Sequence, residues 1–175
     1  YNGKGILTRT IDLNKRMVAL TYDDGPSQYT PIILDLLKKH KSAATFFVVG
    51  NRVSSYPDAV KRTYEMGCEI GNHTYSHSIL TSIDVSSIQS QISATNSAVK
   101  SVTGASPVVM RPPGGGYNGT VQNAVGMPLI MWSIDTLDWK TRNAAATQSA
   151  VLDSVDRKST RLKCRSHTIS RPGFC

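Results

Sequence analysis

Short apolar runs alternate with amphipathic segments along this chain. Five runs rich in apolar, aromatic or β-branched residues predict strands at 17–22, 43–50, 68–72, 107–110 and 128–134. Segments with helical periodicity follow them at 31–40, 56–67, 84–104, 120–126 and 143–155. A strand followed by a helix, repeated five times, predicts an α/β fold with a parallel sheet or barrel.

Two of the predicted helices carry clear boundary signals. The first opens on Pro31 and ends in a basic run, and its predicted buried face consists of Ile32, Ile33, Leu36 and Leu37. The longest begins after Asp84, a residue type that caps helix N-termini well. Its predicted apolar face consists of Val85, Ile88, Ile92, Val99 and Val102.

Polar clusters directly follow the predicted strands. They read DDGP from Asp23, HTYSH from His73, RPPGGG from Arg111 and DTLDW from Asp135. In parallel α/β folds, functional sites assemble at the carboxyl ends of the strands. Four such clusters in succession therefore predict one shared pocket.

The pair His73 and His77 indicates a metal site. On a helical turn, residues i and i+4 direct their imidazoles to the same side, where both can bind one ion. With a carboxylate from Asp23 or Asp24, the set leaves one coordination position open, which is the pattern of catalytic zinc. The alternative is that the two histidines are surface or packing residues.

The adjacent acids Asp23 and Asp24 are predicted to divide two roles. A carboxylate that binds the metal is neutralised by it, whereas a second carboxylate nearby can accept a proton from water. The turn at Gly25 and Pro26 is expected to aim the two side chains differently. The alternative is an Asx turn or a helix cap, which explains one aspartate better than two.

Arg111 is a candidate partner for the second carboxylate, because a guanidinium orients a carboxylate and keeps it ionised. The glycines after it allow backbone N–H groups to approach a ligand, where they can stabilise an oxyanion. An acid of the DTLDW cluster, Asp135 or Asp138, could brace Arg111, and Trp139 could form an apolar wall for a sugar ring. Taken singly, these residues fit a surface turn or core packing equally well.

Composition excludes some classes of function. No apolar run reaches 18 residues, so no membrane span is expected, and the opening YNGKG shows no signal peptide, so a targeting segment is expected to be absent or removed. The basic residues between 157 and 171 are not interleaved with aromatic ones, which argues against nucleic-acid binding. Cys68 lies away from the other two cysteines and is expected to be a buried thiol.

The net charge of +8 is concentrated near the end of the sequence. Residues 1–155 contain 14 basic and 11 acidic residues, whereas 156–175 contain six basic residues and one acid. This last segment shows no apolar periodicity, and the strand expected here is not found. We therefore predict one domain over 1–155 and a basic tail over 156–175 outside the core. The tail is explained as a disordered extension, a lineage-specific ending or a sequence accident such as a frameshift.

The four clusters, in this order, resemble the motifs of the NodB-type polysaccharide deacetylases, carbohydrate esterase family 4. The resemblance covers about Lys15 to Val155 and is similar in detail to bacterial peptidoglycan and chitooligosaccharide deacetylases. It implies a distorted, incomplete (β/α) barrel, which here is expected to lack its last strand. The implied reaction is hydrolysis of an N-acetyl or O-acetyl group on a β-linked sugar polymer.

The resemblance also implies roles for single residues. Asp23 matches the general base of the family, and the implied metal ligands are Asp24, His73 and His77. The resemblance implies a divalent metal, and this ligand set suits zinc, with cobalt and nickel as alternatives.

The remaining motifs imply the surroundings of the base. Arg111 matches the residue that positions it, Asp135 the residue that supports this arginine, and Trp139 a wall of the substrate groove. Where the family commonly has an aromatic residue in its third motif, this chain has Gly114, and an aromatic, Tyr117, follows three residues later. Gly114 and Tyr117 are therefore expected to contribute to substrate binding, with an altered aromatic wall.

A second departure concerns the general acid. The family carries it as the histidine of an L-x-H motif on the final strand, and this chain has Leu162-Lys163-Cys164 at the expected spacing. His167 lies nearby, but its neighbours do not resemble that strand, and it is not assigned.

The function predicted from the sequence is metal-dependent N-deacetylation of peptidoglycan. Chitin oligomers and acetylxylan are the alternative substrates. An inactive carbohydrate-binding relative, which keeps the pocket but lacks the acid, is the alternative function, and an unrelated α/β binding protein is the third. A monomer that acts outside the cell or at the cell wall is expected.

Overall fold

The computed structural model describes residues 18–154 and the backbone of 162–165. The strands in these ranges are β1 (Leu20–Gly25), β2 (Ala44–Val48), β3 (Glu69–Asn72), β4 (Ile134–Asp135) and β5 (Leu162–Arg165). The α-helices are α1 (Thr30–Lys39), α2 (Gly50–Val53), α3 (Pro57–Glu65), α4 (Val85–Thr103), α5 (Gly119–Val125), α6 (Asp138–Thr141) and α7 (Ala144–Ser154). Short 3₁₀ turns lie at Leu80–Ser82 and Pro113–Gly115.

The sheet is parallel throughout, in the order β3-β2-β1-β5-β4. Beyond β3 it continues as single bridges, because Met110 pairs with Asn72 on one side and with Leu129 on the other. The predicted strand 107–110 is thus reduced to one bridging residue, and 128–134 to Leu129 and the start of β4. A parallel sheet with helices and a fragmentary far side is the incomplete barrel that was predicted.

The strand β5 corrects part of the prediction for the tail. Its backbone lies between β1 and β4, with Leu162 paired to Leu20 and to Ile134. No strand signal is visible in this part of the sequence, because Leu162–Arg165 is short and basic and lacks the β-branched residues typical of strands. The rest of the predicted tail, with His167, lies outside the described residues.

The core contains two clusters, one around β1 and β2 and one beneath α4 and α5. In α1, Leu34 and Leu37 are the buried leucines, whereas Ile32 is 47% exposed, which corrects its predicted burial. Ile32 and Leu34 are two residues apart and therefore do not share a helix face. Cys68 is a buried thiol, as predicted.

The helix α4 is firmly defined at both ends. The Asp84 carboxylate accepts a hydrogen bond from the Ser87 N–H at 2.8 Å, which confirms the predicted N-cap, and Gly104 ends the helix with φ 78°. Its buried residues include Ile88, Ile92 and Val99, but Val85 is exposed because the first turn lies in solvent. None of the helices in the described ranges is long and apolar enough to cross a membrane.

Candidate active site

The two adjacent acids lie at a distortion of β1. The register of β1 against β2 shifts between Tyr22 and Gly25, and Asp24 has a left-handed backbone with φ 66°. A regular strand would send neighbouring side chains to opposite faces. Here both carboxylates stay buried, with 1% of Asp23 and 3% of Asp24 exposed, and Arg52 donates a hydrogen bond to the Asp24 carbonyl at 3.1 Å.

Arg111 contacts Asp23 directly, as the sequence predicted. Its Nη1 donates to Asp23 Oδ1 at 2.6 Å and to Thr21 Oγ1 at 2.9 Å. Thr21 and Asp23 are two residues apart on β1 and so point to the same side. The buried ion pair fixes Asp23, because an ionised donor and acceptor at this distance form a strong hydrogen bond.

The rest of the Arg111 side chain is held by main chain and by aromatic rings. Its Nε donates to the Ile130 carbonyl at 2.8 Å and its Nη2 to the Met131 carbonyl at 3.1 Å. The guanidinium also lies 4.2 Å from the centre of the Phe47 ring. With so many partners, the orientation of the guanidinium is set by the fold rather than by Asp23 alone.

The contact between Arg111 and Asp23 also indicates that the sheet is curved. Arg111 follows the bridging residue Met110, which lies beyond β3, whereas Asp23 is on β1. The strands β2 and β3 separate these positions in the sheet. In a flat sheet the backbones at these two positions would lie about 14 Å apart, which is three strand spacings. The sheet must therefore curve to bring the two side chains together.

The three predicted metal ligands converge. Asp24 Oδ1 lies 3.1 Å from His73 Nε2 and 2.9 Å from His77 Nε2, and the three ligand atoms lie within 4.8 Å of one another. His73 is fully buried, whereas 38% of the His77 side chain is exposed. One side of the group is therefore open to solvent, as a catalytic metal site requires.

The donor chemistry of this group fits a divalent cation. Nδ1 of His73 lies 2.6 Å from the Arg111 carbonyl, which can only accept, so Nδ1 carries a proton. In the neutral imidazole, Nε2 then presents a lone pair to the carboxylate of Asp24. Two acceptors at 3.1 Å repel unless a proton or a metal ion lies between them, and metal-binding histidines commonly donate the other ring N–H to a main-chain carbonyl, as Nδ1 of His73 does here.

The charge on Asp24 is stabilised by the same neighbours. Burial by itself would raise the pKa of this carboxyl, but where a proton rather than a metal ion lies between these atoms, His73 and His77 donate to Asp24, outweigh burial and lower the pKa well below its ordinary value. Asp24 is thus held as a carboxylate, the form that binds metal.

The loop that joins the two histidines is not the helical turn that the spacing suggested. His73 directly follows β3, and Thr74 and His77 have left-handed backbones with φ 64° and 60°. The imidazoles meet because the loop folds back on itself, and their rings lie edge to face with centroids 5.2 Å apart.

The DTLDW cluster is placed differently from the prediction. The carboxylate of Asp135 accepts a hydrogen bond from the Leu137 N–H at 3.1 Å, and the structure does not bring it into contact with Arg111. Asp138 is buried and accepts from Thr136 Oγ1 at 2.9 Å. Trp139, on α6, is 41% exposed, and its part in a substrate groove stays a prediction.

The glycines after Arg111 form a tight turn. Gly114 and Gly115 both have positive φ, and a Cβ at Gly115 would lie 2.4 Å from the Trp132 ring, so this position requires glycine. Tyr117 is 51% exposed next to the turn. The predicted roles of Gly114 and Tyr117 in substrate binding stay predictions.

Sequence reasoning missed two residues that build the site. Thr21 shares Nη1 of Arg111 with Asp23, and the alternation of side chains along β1 could have indicated it. Asn72 precedes His73, and its amide donates to Asn96 at 2.9 Å and to the Ile92 carbonyl at 3.0 Å, which ties β3 to α4. No sequence pattern indicates that contact, because the two segments meet only in the fold.

Comparison with known proteins agrees with this geometry. The family model described as polysaccharide deacetylase matches residues 10–128. The chain is 41% identical over 147 residues to the peptidoglycan-N-acetylmuramic acid deacetylase PdaC of Bacillus subtilis, covering 83% of this chain and 32% of that protein. It is 47% identical over 140 residues to the peptidoglycan-N-acetylglucosamine deacetylase PgdA of Listeria monocytogenes, covering 79% of this chain and 30% of that protein.

Solved structures give the same relationship. PdaC of Bacillus subtilis superposes with a TM-score of 0.85 at 37% identity, covering 90% of this chain and 78% of that chain. A CE4-family pseudoenzyme from Bacillus anthracis superposes with a TM-score of 0.80 at 28% identity, covering 91% of this chain and 58% of that chain. The chain spans about a third of the length of the two curated relatives. The converging clusters, the fold and the family match have one explanation, which is that this chain belongs to the polysaccharide deacetylase family.

Proposed function

We propose that this domain removes N-acetyl groups from amino sugars of peptidoglycan and that it depends on a divalent metal. The observation that carries the proposal is the pair of adjacent buried carboxylates with separate partners. Asp24 lies against His73 and His77, whereas Asp23 lies against Arg111. One acid is thereby assigned to a metal and the other is left for proton transfer.

The metal would be held by Asp24, His73 and His77, with zinc as the proposed ion and cobalt or nickel as alternatives. When bound, such an ion acts as a Lewis acid that polarises the acetyl carbonyl and acidifies water. The imidazole Nε2 atoms and Asp24 Oδ1 are the atoms available to it.

Asp23 is the proposed general base. Its Oδ1 is held by Arg111 Nη1, so the carboxylate is oriented before substrate binds and can accept a proton from the attacking water. The deep burial of both side chains excludes bulk water from this pair, which strengthens their interaction. Arg111 thus acts on the reaction by holding the base.

Peptidoglycan is the proposed substrate because both curated relatives described above are named peptidoglycan deacetylases. The exposed side chains of Tyr117 and Trp139 offer flat apolar surfaces of the kind that pack against sugar rings. A substrate of this kind implies action outside the cell or at the cell wall.

The test is acetate release from N-acetylglucosamine oligomers and from peptidoglycan with added zinc or cobalt. The parent chain is compared with Asp23→Asn and with Asp153→Asn, an exposed acid on α7 that serves as the matched control. We expect release by the parent and the control, and a loss on the order of 10²–10⁴-fold for Asp23→Asn with metal binding retained. Equal rates for all three chains would contradict the proposal.

An inactive carbohydrate-binding relative is the second candidate, favoured by one observation. Cys164 stands where the family motif has its general-acid histidine, on the strand β5 that lies between β1 and β4. One structural relative, from Bacillus anthracis, is described as a CE4-family pseudoenzyme, and a mutant of it has restored enzymatic activity. Metal and oligosaccharide binding without acetate release by the parent would select this candidate.

A further inference from the structure

We propose that Gln91, on α4 and outside every motif described above, is a positioning residue for the metal site. It holds the loop between His73 and His77, and the proposal rests on the proposed function because it takes these histidines as metal ligands. The ligand whose position it controls is His77.

The contact is made by a single side-chain oxygen. Gln91 Oε1 accepts hydrogen bonds from the Tyr75 N–H at 2.9 Å, from the Ser76 N–H at 2.9 Å and from the Ser76 hydroxyl at 3.2 Å. Tyr75 and Ser76 lie between the two histidines. One residue of a long, well-capped helix therefore binds two consecutive amides of the loop.

The loop needs such external partners. Thr74 and His77 have left-handed backbones, a conformation that residues other than glycine adopt at a cost in free energy. The loop has no strand or helix ladder of its own, so its amides must be satisfied from outside. The amides of Tyr75 and Ser76 are satisfied by Gln91 Oε1.

The other side of the loop is bound by main chain. The N–H groups of Gly50 and Asn51 donate to the carbonyls of Thr74 and Tyr75, each at 2.9 Å. The loop is thus held between α2, which binds the carbonyls of Thr74 and Tyr75, and Gln91, which binds the amides of Tyr75 and Ser76. The Thr74 amide donates to the Asn72 side chain at 2.8 Å. Removing Gln91 would release one side only, so the loop would shift while the fold remained.

The position of His77 depends on this clamp, the contacts of α2 and Gln91 with the loop, more than the position of His73 does. His73 is fully buried and its Nδ1 contacts the Arg111 carbonyl, whereas the side chain of His77 is 38% exposed. Its Nε2 reaches Asp24 from the end of the strained loop. The main-chain position of the loop therefore contributes more to directing His77 to the site than it does for the fully buried His73.

The test uses the full chain and zinc alone as the probe. The variant Gln91→Leu removes the acceptor at similar volume, and Gln91→Glu keeps an acceptor oxygen at the same place. Gln89→Leu, at an exposed position of the same helix, is the matched control. The readouts are the zinc Kd and, without metal, the hydrogen exchange of the Tyr75 and Ser76 amides.

For Gln91→Leu we expect a zinc Kd raised about 10- to 100-fold, the range for residues that orient a metal ligand, and faster exchange at both amides. Gln91→Glu is expected to restore both, and Gln89→Leu to change neither. A zinc Kd and exchange rates in Gln91→Leu equal to those of Gln89→Leu would overturn the proposal. So would a failure of Gln91→Glu to restore either readout, because that result indicates a general structural role.

Failure of the parent chain to bind zinc would count against the proposed function instead. The exchange rates of the two amides would then still decide whether Gln91 holds the loop: acceleration in Gln91→Leu that Gln91→Glu reverses would support the clamp, and unchanged rates would overturn it.

Discussion

Nδ1 of His73 lies 2.6 Å from the main-chain carbonyl of Arg111, so one residue contacts both halves of the site. Through its carbonyl, Arg111 orients His73, a proposed metal ligand, and through its guanidinium it orients Asp23. The two functions use different atoms of Arg111. A change in its side chain should therefore separate them.

Replacing Arg111 with lysine should reduce kcat on the order of 10²-fold, because a single ammonium cannot hold Asp23 in the same orientation. It should also lower the free energy of unfolding by about 1–3 kcal/mol, since the carbonyls of Ile130 and Met131 lose buried donors. The zinc Kd should stay unchanged, because the carbonyl that contacts His73 remains. Acetate release, urea unfolding and zinc titration check the three expectations.

Arg142→Lys, at an exposed position, is the control for that substitution. A large rise in zinc Kd for Arg111→Lys would show that the two functions are not separable.

Removing His77 should abolish tight metal binding without unfolding the protein. We expect His77→Ala to raise the zinc Kd at least about 100-fold, beyond the 10–100-fold typical of residues that only orient a ligand. Its side chain is 38% exposed, so its loss leaves no large cavity. Calorimetric titration with zinc measures the change, and His40→Ala, an exposed histidine at the end of α1, is the control. Equal zinc affinity in the two variants would exclude His77 as a ligand.

The cap of α4 should make stability depend on pH in the acid range. Hydrogen bonds from Ser86 and Ser87 lower the pKa of Asp84 to about 2, below the ordinary value of 3.8. A pKa lowered in the folded state stabilises the protein above the unfolded-state pKa, and this contribution is lost as the pH falls from about 4 towards 2. Asp84→Asn keeps an acceptor for the Ser87 N–H but not the charge.

Urea unfolding of the parent and Asp84→Asn at pH 7, 4, 3 and 2 should therefore show a difference that shrinks as the pH falls. Asp58→Asn, an exposed acid in the first turn of α3, is the control. A difference that stayed constant from pH 7 to pH 2 would show that the charge of Asp84 does not contribute.

Gly50 should not tolerate a side chain. A Cβ there would lie 2.6 Å from Thr95 Oγ1, 2.7 Å from the Tyr75 ring and 2.9 Å from Thr95 Cα. Both α4, which contains Thr95, and the loop between His73 and His77, which contains Tyr75, would therefore have to move. We expect Gly50→Ala to lower the free energy of unfolding by about 1–3 kcal/mol. Gly119→Ala, where a Cβ meets nothing within 4 Å, should be neutral, and thermal unfolding of both variants checks this. Equal melting temperatures would indicate that the loop moves aside without lowering the free energy of unfolding.

The sequence was sufficient to predict that the clusters of Asp23, His73 and Arg111 share one site. The reason is topological, because the carboxyl ends of parallel strands lie at one edge of the sheet. It was not sufficient to predict how the histidines meet. The i, i+4 spacing suggested a helical turn, but the left-handed backbones of Thr74 and His77 depend on partners from α2 and α4 that are distant in sequence.

The same limit applies at the edges of the fold. Leu162–Arg165 lacks a strand signal of its own, and its place in the sheet depends on the strands on either side. Ile32 was assigned to the buried face of α1 although it lies two residues from Leu34, because apolar character alone does not fix which face a helix turns inward.

The position of β5 has a consequence for synthesis of the protein. Leu20 pairs with Leu162, so this edge of the strand that carries Asp23 and Asp24 stays unpaired until the ribosome has made residues 162–165. Pairing across so many residues is slow, and exposed edges invite association between chains. The strand β4 pairs in the sheet with β5, so it too must wait for that strand. Protease protection of ribosome-bound chains of increasing length should therefore rise steeply once residues 162–165 have left the exit tunnel, and chaperones would be needed most just before that point.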